Sequence, residues 1–280
     1  MITSLDQLIP AAQRKVAGRP PVMAVAQASD HHVEEAVAEA ERLGLVRGLR
    51  FVRDDPAEAA RAAVAAVRSG EAHLLMKGLV QTADIMRAVL HRETGLRTGR
   101  ALSHACVVEV PGWPRLLHIS DIALNVAPDL NRKADILRNQ VEVAHALGNP
   151  RPKVAVVAAV ETVNPDMVAT VDARALQEMA ERGELGECVV QGPLALDLAR
   201  SAEAGATKGV SGPVVGAADV LIMPDLEAGN ILYKGLVCLA GAASAGIVVG
   251  ARCPIVLLSR SDSAASKLNS IALAVLAAFS

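Results

Sequence analysis

The chain has 280 residues, enough for one large or two modest domains that each bury a core. Its 28 Lys and Arg nearly balance 30 Asp and Glu, and one Trp, one Tyr and two Phe leave little for bases to stack on, which disfavours a nucleic-acid partner. The uncharged run from Gly235 to Ala251 is shorter than the roughly 20 strongly apolar residues a membrane span needs, so no membrane partner is expected. The N-terminus, M-I-T-S-L-D-Q-L-I-P, has no apolar core of signal-peptide type. Four cysteines, Cys106, Cys188, Cys238 and Cys253, are scattered through apolar runs and read as buried, reduced thiols of a cytoplasmic protein.

After an amphipathic segment, Pro21 to Gln27 reads as a buried strand, and Asp30 caps a helix running to Gly44. Gly48 to Val52 is a second strand. Asp55-Pro56 then supplies an N-cap with proline at the first helical position, for a helix ending near Gly70. His73 to Met76 is a third strand, followed by Lys77-Gly78 and a helix that starts near Gln81 or Thr82 and carries Arg87. Leu102 to Val110 and Leu116 to Ile119 form two strands joined by the P-G-W-P turn. Asp129 opens a long helix to Gly148, with Lys133, Asp135, Arg138 and Glu142 expected on its exposed side.

The second half continues with strands at Val154 to Val160, Cys188 to Gln191 and Val220 to Met223, and helices at Asp172 to Arg182 and Asp225 to Ala242. The chain closes with strands at Ile247 to Val249 and Ile255 to Leu258 and an Ala-rich helix for which Ser261, Asp262 and Ser263 are candidate caps. Strands that are continuous apolar runs, alternating with helices, indicate an α/β fold with mainly parallel sheets covered on both faces.

Polar groups recur just beyond the strand ends: Ser29-Asp30, Lys77, Ser120-Asp121, Glu161-Thr162, Asp225 with Glu227, and Ser259-Arg260. In parallel α/β sheets the ligand crevice lies outside those carboxyl ends. Lys77, Arg87, Lys234 and Arg260 make a cation set suited to an anion with several oxygens, and Pro254 to Leu268 places Ser259, Arg260 and Asp262 at a helix start whose free N–H groups favour phosphate. The carboxylates Asp121, Glu161, Asp225, Glu227 and Asp262 could act as a general base or as ligands of Mg²⁺. Of the seven histidines only His31 and His32 are close together, and they face different ways on a helix, so no metal site is expected. Neither G-x-G-x-x-G after a strand nor G-x-x-x-x-G-K-[ST] is present, and the G-A-T-K-G turn at Gly205 to Gly209 carries little specificity.

Six stretches in order carry a resemblance: L-M-K-G-L-V-Q-T-A-D-I-M-R (Leu75 to Arg87), S-D-I-A-L-N-V-A-P-D-L (Ser120 to Leu130), V-E-T-V-N-P (Val160 to Pro165), G-P-L-A-L-D (Gly192 to Asp197), A-D-V-L-I-M-P-D-L-E-A-G-N-I-L-Y-K (Ala218 to Lys234), and Pro254 to Leu268. On these the chain resembles the phosphate acetyl/butyryl-transferase family, with details closer to the butyryl branch. The resemblance implies an isocitrate/isopropylmalate dehydrogenase-like architecture of two three-layer αβα domains. Domain I would comprise 1–127 plus 245–280 and domain II 128–244, with the active-site cleft between them. It implies the reversible conversion of acyl-CoA and phosphate to acyl phosphate and CoA for a short-chain acyl group, by direct transfer in a ternary complex. No cofactor is implied beyond coenzyme A as substrate or product, and the assembly would be a homodimer or larger homo-oligomer.

Arg87 and Arg260 match family arginines that bind the phosphoryl group or CoA, and Ser259 matches the serine that stabilises the transition state. Lys77, Asp121, Glu227, Asn230 and Lys234 complete the expected substrate-binding set. At the position where the acetyl branch has its catalytic aspartate this chain has Ser266, so Asp262 is the expected acid/base, with Asp121 or Glu227 as substitutes and a helix-capping role as the competing account. Two other functions remain open at this level: a non-catalytic CoA- or anion-binding relative, and a Mg²⁺- and NAD-dependent decarboxylating dehydrogenase of the same general fold.

Overall fold

A computed structural model describes residues 1–257 and 263–279. The chain divides into two compact units, one made of 4–100 with 244–280 and the other of 1–3 with 101–243.

In the first unit the order is α1 (Leu8–Val16), β1 (Val22–Ala26), α2 (His31–Arg42), β2 (Arg47–Phe51), α3 (Pro56–Arg68), β3 (Leu74–Lys77) and α4 (Thr82–Leu90). β1 pairs in parallel with β2 on one side and β3 on the other, in a register that sets Ala26 beside both Phe51 and Lys77. All five residues of β1 are buried, as a strand covered on both faces requires. Asp30 caps α2 by accepting from the His32 and Val33 amides, and Asp55 caps α3 by accepting from Ala57, with Pro56 at the first helical position.

The second unit holds β4 (Ser103–Glu109), β5 (Leu117–Ser120), α5 (Leu130–Ala146), β6 (Lys153–Val157), α6 (Val168–Glu181), β7 (Val189–Leu194), α7 (Leu196–Arg200), α8 (Ala202–Lys208), β8 (Val220–Ile222) and α9 (Leu226–Leu239). β4 and β5 are an antiparallel pair, and β5, β8, β6 and β7 follow in parallel. The hairpin residues 101–127, assigned by the sequence reading to the first domain, group with this unit, where β5 pairs directly with β8. The chain then returns to the first unit with β9 (Ala243–Val249), β10 (Ile255–Val256) and α10 (Ala264–Ala278). β10 runs parallel to β3 and antiparallel to β9.

Four expectations need correcting. Lys133 is not on the exposed side of α5 but buried, with its ammonium 2.7 Å from Asp172 on α6. Asp172 therefore lies inside α6, which starts a turn earlier at Val168. Gly205 to Gly209 is no isolated turn. It is the end of α8, closed by Gly209 in the left-handed conformation, and Lys208 reaches Glu161 at 2.8 Å and Asp197 at 3.0 Å. Of the cysteines, Cys106 and Cys253 are buried, but Cys188 is half-buried and Cys238 exposed, because α9 buries only Gly229. Burial pushes the Cys253 thiol up to about 12. Among the described residues no helix is long and apolar enough to cross a membrane.

Candidate active site

The carboxyl ends of β1, β2 and β3 lie side by side and are locked by one side chain. Gln27 follows β1 with φ +53°, its amide nitrogen donates to the Arg53 carbonyl at 3.1 Å, and its amide oxygen accepts from the Arg53 N–H at 3.1 Å. This ties the end of β1 to the chain beyond β2. On the other side the Gly78 amide donates to the Ala26 carbonyl and the Leu79 amide to that of Gln27, both at 2.8 Å. A Cβ at Gly78 would run into those same carbonyl oxygens, which accounts for glycine directly after Lys77.

Beyond these ends is a cavity of about 450 Å³, lined by the N-terminal residues of α2, α3 and α4 together with Lys77 and Lys267. Lys77 is half-buried, with its ammonium 3.3 Å from the Gly78 carbonyl. Arg87 sits in the last turn of α4, 72% exposed and paired with Asp84 at 2.5 Å. Lys267 did not figure in the sequence reading. Its signal is that it is the one charge in the apolar Ala264–Ala278 helix, and it is only 6% exposed.

A second assembly forms where β5 and β8 end. The Ser120–Asp121 peptide is cis, and Asp121, 3% exposed, clamps the turn that follows. One carboxylate oxygen accepts from the Ala123 and Leu124 amides at 2.8 and 3.2 Å. The other accepts from the Asn125 amide at 3.2 Å and its side-chain nitrogen at 2.5 Å. These four donors make this carboxylate the clamp of the turn. Asp225 caps α9 through the Ala228 amide at 2.8 Å. The helix lies so close to the clamped turn that a Cβ on Gly229 would overlap the Asp121 carbonyl, and Asn230 donates to the Ile122 carbonyl at 3.0 Å. Asn230 thus holds α9 to the turn, whereas Glu227 and Lys234 are exposed on the helix. Ser259, Arg260 and Asp262 lie outside the described residues. Ser263 is the N-cap of α10, accepting from the Ser266 amide at 3.1 Å.

A larger cavity, about 630 Å³, runs along β7. Of the charged candidate site residues read from the sequence only Glu161 lines it, so its size does not make it the better candidate.

The family model described as phosphate acetyl/butaryl transferase matches residues 27–275. The phosphate butyryltransferase of Clostridium acetobutylicum is 43% identical across 99% of each chain. The phosphate acetyltransferase of Thermotoga maritima is 42% identical across 96% of this chain and 98% of its own. Among solved structures, a branched-chain phosphotransacylase from Enterococcus faecalis superposes with a TM-score of 0.81 at 34% identity, covering 92% of this chain and 99% of the other. A phosphotransacetylase from Streptococcus pyogenes shares the fold with the same TM-score at 20% identity. The chain belongs to the phosphate acetyl/butaryl transferase family of transferases.

Proposed function

We propose that the chain catalyses acyl-CoA plus phosphate to acyl phosphate plus CoA, and the reverse, with a short-chain acyl group such as acetyl or butyryl. The observation that carries this is end-to-end similarity to a phosphate butyryltransferase and a phosphate acetyltransferase at comparable identity. A phosphate oxygen attacks the thioester carbonyl carbon, a tetrahedral oxyanion forms, the carbon–sulfur bond breaks, and the departing thiolate takes a proton. Such a reaction needs cations to hold phosphate, a donor for the oxyanion and an acid for the thiolate. Arg260 and Arg87 fill the first role, Ser259 the second and Asp262 the third, with Lys77, Glu227 and Lys234 as further substrate contacts. Asp121 and Asn230 fix the turn after β5 against α9, the helix that carries Glu227 and Lys234. Loss of an oxyanion donor typically raises the barrier by about 3 kcal/mol.

A homo-oligomer fits the exposed apolar side of α9, where Ile231 is 71% and Leu239 89% exposed. Free rather than paired cysteines support a reducing, cytoplasmic setting. Purified protein mixed with butyryl-CoA and phosphate should release CoA thiol in a phosphate-dependent way. Absence of such release with every acyl-CoA from acetyl to hexanoyl would overturn the reading.

A further inference from the structure

We propose that the groove along β7 is a docking site for an acidic, extended segment of a partner protein, which adds as a further strand to the free edge of β7 and sets two carboxylates on Arg151 and Arg174. β7 is the last strand of its sheet, paired in parallel with β6 on one side, and among the described residues no strand covers the other. Backbone groups of successive strand residues point alternately to the two sides. The Val189 amide donates to the Pro152 carbonyl at 3.0 Å, so the backbone groups of Val190 and Gly192 face outward. Gln177 of α6 satisfies the Gly192 amide at 3.1 Å, and among the described residues nothing outside the sheet bonds the backbone of Val190. Such an edge is a template for one more strand. It lies at the floor of a groove of about 630 Å³. α6 makes one wall, with Arg174, Gln177 and Glu181 three and four residues apart on one helix face, and Val210 to Pro213 make the other. Gln191 fixes that second wall: its side-chain nitrogen donates to the Ser211 carbonyl at 3.0 Å, and its oxygen accepts from the Val214 amide at 3.1 Å.

Charge decides what the groove accepts. Arg151, Arg174, Glu161 and Glu181 line it, and both glutamates are engaged: Lys208 lies 2.8 Å from Glu161, and Glu181 accepts from Gln177 at 2.9 Å beside the Arg182 guanidinium. The two arginines are exposed, and among the described residues neither side chain has an ion pair or a hydrogen bond. Two positive charges are thus left unmatched, and they are set apart along the strand. Arg151 sits beside Cys188, whose thiol burial pushes up while Arg151 pulls against that shift. Arg174 neighbours Ala173, and Ala173 and Gln177 both pack on Gly192. Cys188 and Gly192 are four residues apart, about 13 Å at the rise of a strand. That exceeds the span of a small dicarboxylate, whereas acidic residues four apart on an extended chain project to one side at the same spacing.

The groove is independent of acyl transfer, since neither arginine has a place in that reaction. Two fluorescein-labelled peptides of one composition, T-E-V-T-V-E-T with its acids four apart and T-E-V-T-E-V-T with them three apart, separate strand docking from bulk charge. Fluorescence anisotropy should show wild type binding the first about fivefold more tightly, because only one acid of the second faces an arginine. Arg151→Glu and Arg174→Glu should each weaken the first peptide by about tenfold or more, with an unchanged Tm because both side chains are exposed and unpaired. Hydrogen exchange at the Val190 amide should slow when the first peptide binds. Equal affinity for the two peptides, equal affinity in wild type and both variants, no binding by wild type, or protection away from β7 would each overturn the site. Displacement of the peptide by an equal concentration of succinate would make the groove a small-anion pocket and also overturn it. Val190 exchange that slows with protein concentration alone, while no peptide binds, would give the edge to a second copy of the chain instead.

Discussion

Gly229→Ala and Gly235→Ala make the same chemical change in the same helix, α9, and the structure gives them opposite signs. An alanine in a helix interior is favoured over glycine by about 1 kcal/mol. At Gly235 nothing lies within 4 Å of the added methyl, so that preference should appear undiminished as about 1 kcal/mol of added stability. At Gly229 the methyl would sit 3.2 Å from the Asp121 carbonyl carbon, closer still to its oxygen, and 3.4 Å from the Ile122 Cα. The obstacle is backbone, held by the Asp121 clamp, and cannot swing away. Forcing the two apart costs about 1–3 kcal/mol in overpacking. It also stretches the Asn230 bond to Ile122 and the Leu226 bond to Val126, now 3.0 and 3.1 Å, each of which contributes about 1 kcal/mol. Against the helix preference, the net is a loss of about 2–4 kcal/mol. Urea unfolding of both variants measures it, and if Glu227 and Lys234 of α9 contact substrate as proposed, Gly229→Ala should also lower acyl transfer. A Gly229→Ala protein as stable as Gly235→Ala would refute the claim that α9 is seated directly on the Asp121 turn.

Burial holds the His118 imidazole down to about 4 from its ordinary 6.5, and its Nδ1 lies 2.9 Å from the Gln140 amide nitrogen. The folded state thus keeps it neutral while the unfolded chain takes up a proton below pH 6.5, so stability should be full above that pH and fall by about 3 kcal/mol as pH drops to about 4. A pH series of urea midpoints for wild type and His118→Gln checks this, since identical pH slopes would remove His118 as the source. Lys133→Met strands the buried Asp172 and should destabilise by about 3–5 kcal/mol, whereas adding Asp172→Leu should recover most of the loss. A double variant as unstable as the single would show that the pair is not the cause. Arg260→Ala should raise KM for phosphate and depress kcat, and unaltered kinetics would take the anion clamp away from it.

Much of the fold was legible because local and tertiary demands coincide. V-M-A-V-A in β1 is apolar throughout because it is covered on both faces, and Asp30, Asp55, Asp129 and Asp225 cap the helices they precede. Lys133 was misplaced by its charge alone. Its spacing was informative, since Leu130, Ile136 and Leu137 lie three or four residues away on the same face, and what the sequence could not show was Asp172 approaching from another helix. The short helices α7 and α8 escaped because each is too brief to display a helical period. Around the site, Lys77 was visible as a cation at a strand end, but the structural duties of Asp121 and Asn230 were not, because both depend on backbone atoms brought near by folding.

The proposed acid, Asp262, competes with Ser266, Asp121 and Glu227. Ser266 stands where the acetyl branch has an aspartate, and its hydroxyl donates to the Ser244 carbonyl at 2.5 Å, fastening the start of α10 to β9. That proton is already engaged by a carbonyl, and an alkyl hydroxyl is a poor general acid. All four bonds to Asp121 come from N–H donors, which already occupy both of its carboxylate oxygens. Glu227 is exposed on the first turn of α9, and Asp262 adjoins the cap of α10. Ser263 caps α10 by accepting from the Ser266 amide, and under the competing capping account Asp262→Asn should change mainly stability, by about 1 kcal/mol or less. If Asp262 protonates the leaving sulfur, the same change should lower kcat by about 10²–10⁴ and alter the pH–rate profile, while Glu227→Gln retains most activity. The reverse pattern, with Glu227→Gln inactive and Asp262→Asn active, would move the acid to α9.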